Sequence, residues 1–345
     1  MRRLVTLALA AALAASAAPA AAAPTRPADV TITLVAHDSY NVSKSVIRAF
    51  TRSTGIHVKV LRGGDAGQTL NQVILTKDHP IGDVLYGVDN TFLSRALDAG
   101  IYEPYTAKDL GLVPSQYVLD PRHRVTPVDR SDVCINDDKQ WFADHHVERP
   151  TSLGQLTQPG YRDTLVTENP ATSSTGLSFL LATIAKFGEN GWHAYWQKLR
   201  ANGLKVVDGW EQAWYDNFTA AGHGGRPLVV SYASSPPDTV NKAGTKARAG
   251  TLLSSCFQQI EFVGVLKGTA HRAAARKLVD FMLSKAFQED MPGQMYVFPV
   301  RQGAQLPALF AKFADVPEHA LALTPQQVEK NRERWIDEWT DIVLR

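Results

Sequence analysis

The stretch Asn-Pro-Ala-Thr-Ser-Ser-Thr-Gly at residues 169–176 places four consecutive hydroxyl side chains before a glycine and an apolar run. The apolar residues of that run recur at helical spacing: Leu177, Leu180, Leu181, Ile184 and Phe187. This spacing predicts a helix that begins between Ser174 and Gly176. Serine and threonine oxygens accept the unpaired N–H groups of a first helical turn, and the N–H groups that remain attract an anion or a polar ligand. An ordinary capped helix start is the alternative interpretation.

A short strand is expected at residues 165–167, so the order around this stretch is strand, polar turn, helix. The first hundred residues repeat that order, with strands expected at 30–36, 56–61 and 83–88 and a helix after each. A βαβαβα order predicts a parallel sheet with helices on its faces. Ligands of such sheets bind beyond the carboxyl ends of the strands. The loops at those ends carry acids and a hydroxyl group: Asp38, Ser39, Asp65 and Asp89.

The second half of the chain, from about residue 130 to 255, is predicted to form another α/β unit. A long strand expected at 258–266 then returns the chain to the first unit, and residues 292–300 are expected to form an extended loop. The last predicted helix begins at a capping box, with Thr324 as N-cap, Pro325 at the first helical position and Gln327 reaching back.

The N-terminus predicts export. A positively charged start, an apolar alanine-rich segment and a small-residue region ending near Pro24 are typical of a secretory signal peptide. We assign it to residues 1–23 and exclude it from the fold. A membrane anchor would need ~20 apolar residues, and no cysteine near the expected cleavage region is available for a lipid anchor. The expected location is therefore periplasmic or extracellular.

The net charge and the cysteine content restrict the partners and the covalent cross-links that the protein is expected to have. The 345 residues carry a net charge of +2 without a basic run, which argues against nucleic acid as a partner. The two cysteines, Cys134 and Cys256, are expected to form one disulfide in an exported protein; two free thiols are the alternative.

Motifs of catalysis and metal binding are missing from the sequence. There is no GxSxG elbow, Walker A loop, HExxH or CxxC. The hydroxyls at 172–174 have no marked general base beside them, and His145, His146 and Glu148 read as a solvated loop rather than a metal site. We therefore expect no enzyme activity, no cofactor and no metal.

Polar and aromatic residues at the predicted strand ends form a candidate binding site instead. The set is Asp38, Asp65, Asp89, Ser173, Ser174, Trp210, Tyr232, Ser234, Ser235 and Tyr296. Aromatic faces attract a cationic ring by ~0.5–2 kcal/mol per contact, carboxylates supply the counter-charge, and a helix N-terminus holds a phosphate. This combination favours binding of a flat cation. Trp214 and Phe218, which follow Trp210 at helical spacing, are expected in the core.

Six segments resemble the extracytoplasmic thiamine-binding proteins of ABC importers, a group within the two-lobed solute-binding proteins. They are HDSY (37–40), GVDN (87–90), TSSTGL (172–177), GW (209–210), SYASSP (231–236) and WIDEW (335–339). The resemblance implies an α/β fold of the two-lobed type II periplasmic-binding-protein class, with crossing strands as hinge. It implies lobe 1 at 24–128 and 258–345 and lobe 2 at 129–257, each a mixed or parallel sheet flanked by helices.

The same resemblance implies ligand and site. The ligand is thiamine, thiamine monophosphate or thiamine diphosphate, the partner is an ABC transporter permease, and the protein is expected to be a monomer. The implied contacts are a loop at Asp65 and Ala66, phosphate contacts at Ser173 and Ser174, and second-lobe contacts at Trp210, Tyr232, Ala233, Ser234 and Ser235. Tyr296 stands where the family has a tryptophan that covers the ligand's ring.

The sequence departs from the family at several aromatic positions. Asp238 replaces an aromatic residue, and Arg130 with Ser131 replaces an aromatic–glycine pair. Another heteroaromatic cation is therefore an alternative ligand. Two further alternatives are a binding protein for ferric iron or another small ligand, and a secreted hydrolase with a serine nucleophile at 172–174.

Overall fold

The structure is a computed structural model that describes residues 29–345. The expected signal peptide lies outside the described residues. Nine strands form one sheet, and their bounds are β1 (Val30–Ala36), β2 (Ile56–Arg62), β3 (Val84–Asp89), β4 (Thr126–Asp138), β5 (Leu165–Glu168), β6 (Lys205–Val207), β7 (Leu228–Tyr232), β8 (Ala249–Val265) and β9 (Phe298–Pro299).

Ten α-helices flank the sheet: α1 (Lys44–Thr54), α2 (Ala66–Leu75), α3 (Leu93–Asp98), α4 (Lys139–Asp144), α5 (Ser174–Phe187), α6 (Trp192–Ala201), α7 (Arg272–Met282), α8 (Lys285–Gln294), α9 (Ala308–Phe313) and α10 (Pro325–Val343). Short 3₁₀ turns and a π-helix at Gln212–Asn217 complete the described part. None of these helices is long and apolar enough to cross a membrane, within the residues that the structure describes.

The strand order is β2-β1-β3-β8-β4-β7-β5-β6, with β9 added beside β4. Strands β1, β2 and β3 pair in parallel, as predicted, and so do β5, β6 and β7. Strand β8 runs antiparallel to β3 and β4, and β4 antiparallel to β7. The sheet is therefore mixed, with two parallel halves joined by two long antiparallel strands, which confirms the α/β prediction.

The joining strands β4 and β8 are irregular in the middle. Their register shifts between Pro127 and Asp129, and again between Val133 and Ile135. Extra residues of this kind bend a strand and increase its local twist. The two bends enclose the segment where the chain passes from one half of the sheet to the other. Strand β8 is longer than the predicted 258–266, because it begins inside the second half of the sheet.

The disulfide prediction is confirmed: Cys134 on β4 is bonded to Cys256 on β8, across 122 residues of sequence. Both side chains are fully buried and pack against Ala233. The bridge lies next to the second bend, so it ties the two joining strands where their ladder is irregular.

Helix α5 is the most deeply buried helix beside the sheet, since every residue from Ser174 to Ile184 is buried. It packs against β8 and α6. Helix α10 begins with the predicted capping box of Thr324 and Gln327. It then crosses to α6, where the Trp339 and Trp196 rings meet edge to face at 5.4 Å.

One local prediction is wrong. Residues 292–300 are not all an extended loop, because α8 continues through Pro292 to Gln294. Burial of Phe287 and Met291 on the inner side of α8 outweighs the local effect of the proline. The remainder passes into the short strand β9.

Candidate functional site

A cavity of about 200 Å³ lies beyond the carboxyl ends of β1 and β7, where the topology predicts a ligand. It draws its walls from both halves of the sheet. The lining residues are His37, Asp38, Ser39, Tyr40, Asn41, Arg62, Trp210, Glu211, Tyr215, Tyr232, Glu261, Gln294, Met295, Tyr296 and Val297. Ligand pockets of proteins commonly hold about 300–1,000 Å³, so this cavity is small for a ligand pocket.

An aromatic wall is fixed in place on one side of this cavity. Trp210 donates its indole N–H to Ser231 Oγ at 2.8 Å, and its ring stacks on buried Trp214 with centroids 5.9 Å apart. Tyr215 meets the Trp210 ring edge to face at 5.6 Å, and Tyr232 lies 6.1 Å away at a tilt. The indole is therefore held in a fixed orientation in the cavity wall. Trp214 and Phe218 are fully buried, which confirms their assignment to the core.

Tyr215 is a lining residue that the sequence analysis missed. In a regular α-helix, a residue five positions after Trp210 points well away from it. The π-helix at Gln212–Asn217 has a wider turn, with i to i+5 hydrogen bonds. That turn brings Tyr215 back to the side of the Trp210 ring. No local sequence signal marks a π-helix, so this residue was not predictable from periodicity.

The floor of the cavity carries charge. His37 Nε2 lies 3.5 Å from Glu261 Oε1, at ion-pair distance, and the Ser39 hydroxyl lies 2.9 Å from His37 Nδ1. Burial acts to lower the pKa of His37, but the nearby carboxylates, with Glu261 foremost, raise it to about 9. The imidazole is thus cationic at neutral pH and holds Glu261 as its counter-ion. The signal for Glu261 in the sequence is a single acid in the apolar run of β8.

Four predicted site residues come together at this cavity: Asp38, Trp210, Tyr232 and Tyr296. The other eight are not among its lining residues: Asp65, Ala66, Asp89, Ser173, Ser174, Ala233, Ser234 and Ser235. Their contact with a ligand stays a prediction.

The hydroxyls around the opening motif bond within the protein. Helix α5 begins at Ser174, within the predicted range, and its N-cap is Ser173, whose Oγ accepts the N–H of Gly176 at 3.4 Å. Ser174 Oγ accepts from the Gln259 amide at 3.1 Å. Ser235 Oγ lies 2.9 Å from Ser231 Oγ, and Ser234 pairs with a buried hydroxyl on β4. The N-terminus of α5 is therefore capped by a side chain of the protein itself.

Asp65 makes a hydrogen bond from the first half of the sheet to the second. It is the N-cap of α2, and its Oδ2 accepts the backbone N–H of Trp210 at 2.9 Å. One turn on, the N–H of Gln68 donates to the carbonyl of Thr172 at 3.1 Å. The backbone of α2 therefore touches the segment before α5 directly, and this contact closes the cleft on one side.

Asp89 is fully buried and caps the turn after β3, where its Oδ1 accepts from Thr91 and from the N–H of Phe92. Burial raises its pKa from an ordinary 3.8 to about 7, and Glu261 adds to the rise. The folded protein therefore keeps the Asp89 proton up to about pH 7, whereas the unfolded chain loses it near pH 4. The free energy of unfolding contributed by this group falls as the pH rises between those values.

Asp89→Asn is expected to raise the free energy of unfolding at pH 8 and to leave it nearly unchanged at pH 4.5. One pKa unit corresponds to about 1.4 kcal/mol, and the weaker capping bonds of an amide offset part of the gain. A net increase of roughly 1–3 kcal/mol is expected from these terms. Urea unfolding of both proteins at the two pH values measures it, and an equal difference at both would contradict the assignment.

None of the described residues forms a group of three or more His, Cys, Asp or Glu side chains placed to hold a metal ion. The site combines an aromatic wall, the His37–Glu261 ion pair, the carboxylates of Asp38 and Glu211, and the Arg62 guanidinium. Such a set can bind and orient a cation.

Comparisons with known proteins identify the family of this chain. The family described as bacterial extracellular solute-binding protein matches residues 79–325. The thiamine-binding periplasmic protein of Salmonella typhimurium is 29% identical, over 91% of this chain and 94% of its own. That of Brucella suis is 27% identical, over 92% and 93%.

Solved structures give the same fold. A periplasmic thiamin binding protein superposes with a TM-score of 0.78 at 26% identity, covering 91% of this chain and 96% of its own. Iron-bound HitA from Pseudomonas aeruginosa, at 21% identity and a TM-score of 0.69, shares the fold alone, over 91% and 99%. The fold is thus that of the type II periplasmic binding proteins, and the chain belongs to the bacterial extracellular solute-binding protein family.

Proposed function

We propose that this protein captures thiamine outside the cytoplasmic membrane and delivers it to the permease of an ABC importer. The observation that carries the proposal is a single cavity in which Trp210, Tyr215, Tyr232 and Tyr296 face acidic side chains from both halves of the sheet. Relatives named as thiamine-binding periplasmic proteins, similar over nine-tenths of the chain, support the same ligand.

The chemistry of the cavity matches the chemistry of thiamine. Thiamine carries a permanent positive charge on an aromatic ring, and such a ring gains ~0.5–2 kcal/mol for each aromatic face it covers. Three carboxyl side chains line the cavity, Asp38, Glu211 and Glu261, against the two basic side chains of Arg62 and His37. The protein binds this cation and leaves it chemically unchanged, because its role is transport.

Capture requires the cleft to open. We assign residues 24–128 and 258–345 to lobe 1 and residues 129–257 to lobe 2, with β4 and β8 as the hinge between them. The two bends in these strands are where the backbone absorbs the rotation. Residues 1–23 act as the signal peptide that directs export of the protein across the cytoplasmic membrane.

Titration with thiamine tests the function. Trp210 lies in the cavity wall, so its fluorescence is expected to change as the ligand covers it, and isothermal calorimetry is expected to give one site per chain. Thiamine that produces neither heat nor a change in fluorescence would overturn the proposal. Mass spectrometry of small molecules that copurify with the protein offers an independent check.

Trp210→Ala and Tyr232→Ala are each expected to weaken thiamine binding at least tenfold, or ~1.4 kcal/mol. Each change removes an aromatic face from the cavity wall. Trp141→Ala is the matched control, because Trp141 stacks on His145 and does not line the cavity. Calorimetric dissociation constants decide the matter; wild-type affinity in both wall variants would refute the site assignment.

A further inference from the structure

Two carboxyl groups meet beneath the cavity, on the two strands that join the halves of the sheet. Asp129 on β4 and Glu261 on β8 are direct partners in the strand register. The Tyr86 hydroxyl lies 2.5 Å from Asp129 Oδ2 and 3.0 Å from Glu261 Oε2. All three side chains are buried, and Glu261 also lines the cavity beside His37. This cluster of four groups, His37, Tyr86, Asp129 and Glu261, is called the floor cluster below.

The geometry of the floor cluster requires an additional proton. A phenol has one hydrogen, so Tyr86 can donate to only one of the two carboxyls at a time. Two buried carboxylates in contact repel each other strongly, and one of such a pair normally holds a proton. In agreement, burial raises the pKa of Asp129 well above its usual range, with Glu261 as the next cause. With His37 protonated and one carboxyl protonated, the cluster is electrically neutral.

Glu261 lines the cavity, so a cation bound there can be compensated by the floor cluster. We infer that thiamine binds in exchange for the proton that Asp129 and Glu261 share. The permanent positive charge of thiamine then replaces the positive charge of that proton. The proton passes to solvent, no bond of the ligand is broken, and the charge of the floor cluster plus ligand stays at zero. The inference rests on the proposed function and extends it, since it makes capture dependent on pH.

Other titratable groups lie near Glu261, and proton release from them must be distinguished from release of the shared proton. His37 lies on the loop after β1, Asp89 at the end of β3, and Tyr232 at the end of β7. Asp38 and Asp65 act on His37. Of these, Asp89 has a pKa of about 7 and is the strongest competing source of a proton. Asp89 and Asp129 are both register partners of Glu261 and both lie outside the cavity lining, but only Asp129 shares the Tyr86 hydroxyl with Glu261.

Calorimetry of the wild-type protein with thiamine, in two buffers of different ionisation enthalpy, tests the exchange directly. We expect release of about 0.5–1 proton per thiamine at pH 7, and an affinity that rises by up to about tenfold per pH unit between pH 6 and 8. Binding with the same enthalpy in both buffers would overturn the inference while leaving the proposed function intact. Absence of any binding would instead refute the function.

Two matched variants show which group releases the proton when thiamine binds. Asp129→Asn cannot release a proton, and Tyr86 can still donate to Glu261, so proton release and the pH dependence of affinity are expected to disappear. Glu168→Gln, an equally buried change outside the cavity lining, is expected to keep both. Release that persists in Asp129→Asn would place the proton on another group and overturn the assignment. Should Asp129→Asn fail to fold, the buffer comparison on the wild type still decides whether an exchange occurs.

Discussion

Replacing both cysteines, in the variant Cys134→Ala/Cys256→Ala, is expected to lower the free energy of unfolding by about 4–5 kcal/mol. The cross-link closes a loop of 122 residues, and in the chain-entropy model the stabilisation by a disulfide grows with the logarithm of loop length. Urea unfolding measures the loss. The dependence of the free energy on urea is expected to steepen, because the unfolded chain without a bridge exposes more surface.

The wild-type protein in the presence of a reductant serves as the control for this variant. Its stability is expected to match that of the double alanine protein, since both lack the bridge and differ only by two buried sulfur atoms. Affinity for thiamine is expected to stay within about threefold, because the bridge acts chiefly on the unfolded chain. A loss of less than about 1 kcal/mol would contradict the entropic account.

Gly67→Ala is expected to weaken thiamine binding about a hundredfold, or ~2.7 kcal/mol, without lowering the stability of the ligand-free protein. A Cβ atom at Gly67 would lie 2.8 Å from the carbonyl oxygen of Ala171 and 2.8 Å from the backbone of Thr172. These are backbone atoms on the other half of the sheet, so the clash exists only while the cleft is closed. The protein relieves it by opening, and the ligand must then supply the energy of closure.

Gly67 is the second residue of α2, and alanine is a better helix former than glycine, so the ligand-free protein is not expected to lose stability. Gly111→Ala is the control, because a Cβ atom there meets nothing within 4 Å. Calorimetry gives the affinities, and small-angle scattering is expected to show a larger radius of gyration for Gly67→Ala. Wild-type affinity in this variant would mean that closure at α2 plays no part in binding.

The parts of the fold that the sequence predicts well are those set by neighbouring residues. The parallel strands β1, β2 and β3 follow from alternating apolar residues, and the start of α5 follows from its hydroxyl cap. The capping box of α10 is likewise local. The extent of β8 was underestimated, because its first residues owe their conformation to pairing with β4.

The candidate site was only partly predictable. Trp210 and Tyr232 were identified because they stand at strand ends, where the topology places a ligand. His37 and Glu261 gain their importance from each other, across more than two hundred residues of sequence, and no pattern in one segment reveals such a pair. Ser173 and Ser174 show the opposite case: hydroxyls at a helix start fit both an anion site and a helix cap. The structure shows Ser173 as the cap, and the ligand contact of both residues stays a prediction.

The shared strands β4 and β8 limit the kinds of movement that the molecule can make. Sliding one half past the other would break the antiparallel ladder along the 13 residues of β4, whereas flexing that ladder keeps its bonds. The halves are thus restricted to rotation about an axis across the strands, and they share a single hydrogen-bonded framework. Heat or denaturant that unfolds one half removes hydrogen-bonded strand partners from the other, so residues 29–345 are expected to unfold as one cooperative unit.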